Sequence, residues 1–247
     1  MTDAAVPAHL PTERGISMST EGSQMPFVDG EAIVFDKPAG LPVSRPRRGG
    51  VSMDDILPDL RFGFQRLPVP VHRLDADTSG CLLLARHPKA LVRFNRAFEE
   101  RAVEKGYIGI VGGDVAADMN AESGTIDLPL AKISTAEAGW RMIVDGNAMD
   151  ARSAITHWRV LAHRKGYTLI EFRPETGRTH QLRVHALHGF GRALIGDPLY
   201  GEAIPAGMML HSHFLRLSRP GKADINARAA MPTRFYDLGF SDHDLQY

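Results

Sequence analysis

Apolar residues fall in short alternating or continuous runs along most of the chain, and these runs predict more strands than helices. The run Glu31-Ala32-Ile33-Val34-Phe35-Asp36 is β-prone and ends at the turn Lys37-Pro38-Ala39-Gly40. Cys81 to Ala85 is continuously apolar, which predicts a buried strand. A helix should start at Pro88, because Leu91, Phe94 and Phe98 recur at i, i+3 and i+7 with charged residues between them. Tyr107 to Val111 reads as a strand closed by Gly112-Gly113, and the acidic stretch beyond it carries short β-like pieces such as Thr125 to Leu130. Arg152 to Ala162 and Tyr167 to Phe172 flank Arg164-Lys165-Gly166 as a hairpin. A second helix is expected from Thr179 to about His188, stopped by Gly189, and Met208 to Leu217 alternates as a late strand. Hairpin neighbours imply antiparallel pairing, so the pattern predicts an α+β fold rather than a doubly wound parallel sheet.

At 247 residues and 43% hydrophobic, the chain has enough apolar material for one large domain or two small ones. Residues 1 to about 26 are rich in Ala, Pro, Ser, Thr and Gly without an apolar period, and are expected to be a disordered tail ahead of one catalytic domain at 27–247. Met18 and Met25 leave a later translation start open. The stretch Pro42 to Gly50 is a loop whose Arg45, Arg47 and Arg48 fit a solvated connection or a phosphate-contacting arm.

Charge is balanced at 29 basic against 29 acidic residues, so the total gives no sign of a nucleic-acid partner. Its distribution differs. From Arg152 to Arg192 eight basic residues face two acidic ones, a net of +6, whereas Gly112 to Asp150 has seven acids against two bases, a net of −5. Such segregation permits a basic face on a neutral protein, although two solvated surfaces would read the same way. The single cysteine, Cys81, lies among aliphatic residues and reads as packing. No stretch approaches a membrane span and no signal peptide is evident, so a cytoplasmic protein is expected.

Two segments could carry chemistry. In His72-Arg73-Leu74-Asp75-Ala76-Asp77-Thr78-Ser79-Gly80 the Asp and Ser/Thr residues could simply cap a loop. A carboxylate beside Arg73 and ahead of a rigid strand would also stay ionised, as a nucleophile or base must. The second is Glu175-Thr176-Gly177-Arg178-Thr179-His180-Gln181-Leu182-Arg183-Val184-His185. Its histidines, with His188, spread over more than one helix face and lack the spacing of zinc hydrolases, so no metal is expected. Arg178 and Arg183 suit a phosphate contact and an ion pair with a buried acid. Tyr107, in Lys105-Gly106-Tyr107, is either half-buried core or a base-stacking surface. Neither Gly-x-Gly-x-x-Gly after a strand nor Gly-x4-Gly-Lys-Ser/Thr occurs, which implies no nucleotide cofactor.

In order along the chain, these segments resemble the RluA-type RNA pseudouridine synthases. The matching stretches are Asp36 to Val43, His72 to Gly80, Lys105-Gly106-Tyr107, Gly177 to His185, Gly196-Asp197-Pro198-Leu199-Tyr200-Gly201, and Leu210-His211-Ser212-His213 leading into Phe214 to Leu217. The resemblance implies a mixed, largely antiparallel central sheet with flanking helices and a central catalytic cleft, and isomerisation of specific uridines in structured ribosomal or transfer RNA. It marks Asp75 as the catalytic aspartate, Tyr107 as the aromatic against the target base and Arg183 as the cation pairing with the aspartate. Leu182 is then the apolar residue beside Arg183, and Arg73 helps reorganise RNA around a flipped nucleotide. Arg178 and His72 complete the expected substrate contacts. There is no room for the S4-type domain that many relatives carry, and a monomer is the default. Two other readings stay open at this point: a non-catalytic RNA-binding module on the same fold, and a carboxylate N-glycosidic hydrolase using Asp75 with Asp77 as second carboxylate.

Overall fold

The structure is a computed structural model that describes residues 24–47, 49–135 and 139–245. Most of the expected tail, and Arg48 of the basic loop, lie outside the described residues. Within them, the Gln24 carbonyl already accepts a hydrogen bond from the Asp36 N–H at 2.8 Å. The chain falls into two compact units interleaved in sequence. The first runs to Val103 and returns at Arg216–Ala230; the second comprises Glu104–Leu215 and Met231–Tyr247.

In the first unit strand β1, Ala32–Lys37, pairs antiparallel with β2, Ser79–Ala85, in a register that sets Ala32 against Ala85 and Lys37 against Gly80. Every residue of β2 is buried, as its unbroken apolar run requires. Short strands at Phe27–Val28 and Val69–Pro70 add antiparallel edges to β1 and β2. Helix α1, Pro88–Glu99, begins where the sequence placed it: Pro88 lies in the first turn, and the His87 side chain caps it by accepting from the Ala90 N–H at 3.1 Å.

The second unit contains β3 (Glu104–Gly112), β4 (Ser123–Asp127), β5 (Leu130–Thr135), β6 (Gly139–Val144), β7 (Ile155–Arg164), β8 (Tyr167–Pro174), helix α2 (Gln181–Phe190) and β9 (Leu210–Leu217). At the end of β9 the chain returns to the first unit. The sheet order is β9-β3-β8-β7-β4, antiparallel at β3/β8, β8/β7 and β7/β4, while β5 and β6 form a separate antiparallel hairpin. The expected α+β class with largely antiparallel pairing is therefore what is observed. α2 packs Leu182, Ala186 and Phe190 on one sheet face with Phe172, Ile170 and Trp158. Phe235, Phe240 and Met231 join Ile108, Ile110 and Leu169 in a second core cluster.

Three expectations need adjustment. α2 begins at Gln181 rather than Thr179 and continues past Gly189 to Phe190. Gly189 does not stop it; a Cβ there would lie 2.5 Å from the Ile126 side chain, so this glycine is a point of close packing, and the left-handed Gly191 ends the helix. The acidic stretch, whose pattern predicts only short β-like pieces, holds a short helix at Val115–Met119 and the β5–β6 hairpin. Nor does the +6 segment form a continuous free basic face. Arg159 and Arg173 pair with buried Glu171, Arg164 with Asp244, Arg192 with Asp118 and Arg183 with Asp197.

His185 on α2 is fully buried, its Nδ1 2.9 Å from Thr156 Oγ1 and its Nε2 3.1 Å from the Leu128 carbonyl. Burial pushes its pKa below the usual 6.5, outweighing the Leu128 carbonyl. The unfolded chain therefore takes up this proton first as pH falls, and the stability that the neutral ring supplies above about 6.5 is lost below it. Thermal unfolding followed by circular dichroism should show the midpoint falling as pH drops from about 7.5 to about 5.5. His185→Gln should flatten that dependence; an unchanged slope would remove His185 as its source.

Candidate active site

Asp75 lies in the loop preceding β2, half-buried, between the exposed Arg73 and the buried Thr78 and Ser79. The sequence fixes this loop at both flanks. On one side, His72 Nε2 accepts the Leu83 N–H at 3.0 Å, and its ring stacks on Phe98 of α1 with centroids 4.8 Å apart. His72 is thus engaged in packing and in a β2 backbone bond. On the other side, the Ala76 carbonyl accepts from the Gly40 N–H at 2.8 Å and from Lys37 Nζ at 2.9 Å. The turn itself is closed by the Thr78 N–H donating to the Asp75 carbonyl at 3.1 Å, and Leu74 anchors it in the core.

Lys37 is fully buried, and its ammonium also donates to the carbonyls of Pro38 and Leu41 at 2.9 and 2.8 Å. A buried ammonium is costly unless its protons are satisfied, and the Lys37-Pro38-Ala39-Gly40-Leu41 turn wraps two of the three carbonyls around it. Lys37 is the positioning residue of the loop, and sequence reasoning gave it no role. The signal available was a lysine at the end of an otherwise apolar strand.

In the second unit Tyr107 sits on β3 opposite Phe172 and packs on the cluster that contains Leu182. Its neighbour Gly106 has a steric reason: a Cβ there would stand 1.9 Å from the Phe214 ring of β9. Gly106 and Phe214 thereby set how closely the strand carrying Tyr107 is packed.

Arg183 on α2 is 4% exposed and makes a two-pronged ion pair with the fully buried Asp197: Nε donates to Oδ2 at 2.8 Å and Nη2 to Oδ1 at 2.6 Å. Asp197 Oδ1 also accepts the backbone N–H groups of Leu199 and Tyr200 at 2.9 and 3.0 Å. Burial alone would raise the Asp197 pKa, but the Arg183 hydrogen bonds and charge, with those amides, hold it below the usual carboxylate range. In sequence Asp197 is one residue of Gly196-Asp197-Pro198-Leu199-Tyr200-Gly201, with nothing local to mark its partner. The guanidinium also lies 5.1 Å from the Tyr200 ring centre.

The loop ahead of α2 is held by Gln181, whose Oε1 accepts from the Arg178 N–H and the Thr176 hydroxyl at 3.0 and 2.7 Å. Arg178 is exposed, its Nε donating to the Ser153 carbonyl at 3.1 Å. His180 adopts a left-handed backbone (φ 54°) with Nδ1 2.9 Å from the Tyr200 hydroxyl, so it too has a protein partner. Among the described residues no three His, Cys, Asp or Glu side chains are grouped to hold a metal ion. Burial, with the nearby Asp36 charge, pushes the Cys81 thiol up to about 12, which suits packing rather than nucleophilic chemistry. Among the described residues no helix is long and apolar enough to cross a membrane.

Comparison with known proteins matches residues 31–188 to the RNA pseudouridylate synthase family. An uncharacterized RNA pseudouridine synthase of Zymomonas mobilis is 50% identical over 87% of this chain and 96% of its own length. The dual-specificity RNA pseudouridine synthase RluA of Haemophilus ducreyi is 33% identical over 84% of this chain and 92% of its own length. The chain spans only 50% of a ribosomal large subunit pseudouridine synthase D of Nitrosomonas europaea, at 38% identity. Among solved structures, human RNA pseudouridylate synthase domain containing 1 superposes with a TM-score of 0.71 and 26% identity, covering 86% of this chain and 85% of that one. The chain belongs to the RNA pseudouridylate synthase family. Its similarity to the Haemophilus enzyme places it with the RluA-type members.

Two substitutions test the positioning residues. Lys37→Met keeps the bulk but takes the ammonium donor from the Pro38 and Leu41 carbonyls and one of two donors from the Ala76 carbonyl, and should cost about 3 kcal/mol while speeding amide exchange at Thr78. Exchange unchanged at Thr78 would separate Lys37 from the loop. Asp197→Asn should cost about 3–5 kcal/mol by denaturant unfolding, because it leaves the Arg183 charge buried without its counter-ion. It should also lower turnover on RNA about a hundred-fold, the scale of a mispositioned catalytic group.

Proposed function

We propose that this chain converts specific uridines of structured RNA, ribosomal or transfer, to pseudouridine, with Asp75 as the catalytic carboxylate. The observation that carries the proposal is the Asp75 loop, held by His72 on one flank and by Lys37 and Gly40 on the other. A reacting carboxylate needs this immobility, because the effective concentration of a catalytic group depends on a fixed orientation.

The reaction asks little else of the protein. The uridine leaves its stack, at a cost of a few kcal/mol that is smaller in loops. The C1′–N1 bond breaks, the uracil turns, and a C1′–C5 bond forms; the C5 proton leaves to solvent and N1 gains one. No redox change takes place. The family resemblance assigns Tyr107 to the face of the base, Leu182 to its apolar wall and Arg183 to the cation that pairs with the carboxylate. The Arg183–Asp197 pair supports that last role by holding the guanidinium in one orientation. Arg178, exposed, is the phosphate contact, Arg73, also exposed, helps reorganise the RNA around the flipped nucleotide, and His72 serves by fixing the backbone next to Arg73.

Cellular RNA labelled with tritium at uridine C5 gives the decisive measurement. Wild type should release tritium and Asp75→Asn should release none. Release by the variant would remove Asp75 from catalysis, and absence of release by wild type on every RNA fraction would sink the isomerase reading. Free uracil among the products would identify a hydrolase instead.

A further inference from the structure

The β5–β6 hairpin stands apart from the main sheet of its unit, and its two ends are built differently. Antiparallel register sets Leu130 against Val144, Lys132 against Met142 and Ser134 against Trp140, so these six side chains share one face. At the base of that face Leu130, Met142 and Val144 pack with Ala154, Val184 of α2 and Tyr200. The same face then runs outward to Trp140, which is 42% exposed. Beyond its packed base the face carries the exposed Lys132 and Ser134 and ends in an open indole, so a cation and an aromatic surface lie side by side.

The indole is also held. It meets the His180 ring edge to face at 5.1 Å; His180 meets Tyr200 at 5.6 Å; and Tyr200 lies 5.1 Å from the Arg183 guanidinium. The Tyr200 hydroxyl ties the assembly together, accepting the Met142 N–H at 2.9 Å and bonding His180 Nδ1 at 2.9 Å. His180 maintains a left-handed backbone in this position, a conformation a non-glycine residue keeps only when its surroundings fix it. Trp140 is thus connected by successive ring contacts to the cation that the proposed reaction uses. Lys132 is its diagonal neighbour on the same hairpin face.

We propose that Trp140 is a stacking platform for an unpaired nucleobase of the RNA substrate, one that lies within a few nucleotides of the target uridine. The proposal rests on the RNA-modifying reading above and adds a substrate preference to it: a single-stranded or loop nucleotide flanking the target, with Lys132 at its phosphate. Aromatic stacking accepts any base, so this contact selects for unpaired structure rather than for sequence. A paired base has both faces occupied by its own stack and cannot use it.

The chain has two tryptophans, and Trp158 is 5% exposed and enclosed by Phe190. A fluorescence change on RNA binding therefore reports Trp140. The full-length protein is titrated with a stem-loop RNA whose loop is all uridine, and with the same stem as a closed duplex. The stem-loop should quench the tryptophan emission and the duplex should not. Trp140→Ala should weaken stem-loop binding about ten-fold or more, the scale of one lost base–aromatic stack, and leave duplex binding unchanged. Trp140→Phe should abolish the quench while keeping most of the affinity, which separates lost stacking from misfolding.

Stem-loop binding without quenching, or an equal loss of duplex affinity in Trp140→Ala, overturns the assignment. So does a wild-type dimer that Trp140→Ala dissolves, since the face would then belong to a second copy of the chain. Loss of tritium release with the quench intact would sink the isomerase reading and leave the stacking site standing. Failure to bind the stem-loop would overturn the stacking site, while tritium release alone decides the isomerase reading.

Discussion

The second unit is organised around one buried ion pair. Asp197 is closed to solvent and Arg183 nearly so, and each would be prohibitive alone. Four N–H groups converge on the Asp197 carboxylate, two from the guanidinium and two from the backbone that follows. The carboxylate thus fixes two things together: the direction of an arginine on the first turn of α2 and the path of the chain through Tyr200. Tyr200 in turn places its ring beside the guanidinium and its hydroxyl between β6 and His180. Helix, turn and hairpin share one electrostatic centre, whose cost is justified by orientation more than by stability.

The first unit solves a similar problem with backbone. Lys37 is as buried as Asp197, but three backbone carbonyls accept from its ammonium. A carbonyl belongs to the chain's path, so satisfying the ammonium fixes loop geometry directly. The carbonyl of Ala76, next to Asp75, takes one of these bonds. Both units therefore use a buried charge to hold a short irregular segment; in the first that segment bears Asp75, and in the second it is tied to Arg183 of α2.

Much of the fold was legible in the pattern of apolar residues. The buried strand Ser79–Ala85, helix Pro88–Glu99 and the hairpin around Lys165-Gly166 carry strong local signals: an unbroken apolar run, a 3.6-residue period and a turn dipeptide. Gly189 misled because a glycine chosen for close packing looks the same in sequence as one chosen to end a helix. The β5–β6 hairpin was obscured because only its base packs inward, so the pattern fades toward Trp140. Of the proposed site, Asp75, Tyr107 and Arg183 are marked by the family resemblance, since each residue alone also reads as a loop cap, core or an ion pair. Lys37 and Asp197 were not assigned roles, since a positioning residue is recognised by what it touches, and those partners lie 39 and 14 residues away.

Gly106 and Phe214 carry a consequence for how the protein can change over time. A Cβ on residue 106 would stand 1.9 Å from the edge of the Phe214 ring, so residue 106 cannot gain a side chain while Phe214 stays. Nothing is smaller than glycine, so a side chain at 106 is tolerable only after a smaller residue has replaced Phe214, and that intermediate is hollow. Two positions more than a hundred residues apart are therefore inherited as one steric unit, and the strand that presents Tyr107 is confined to the few sequences that satisfy both at once.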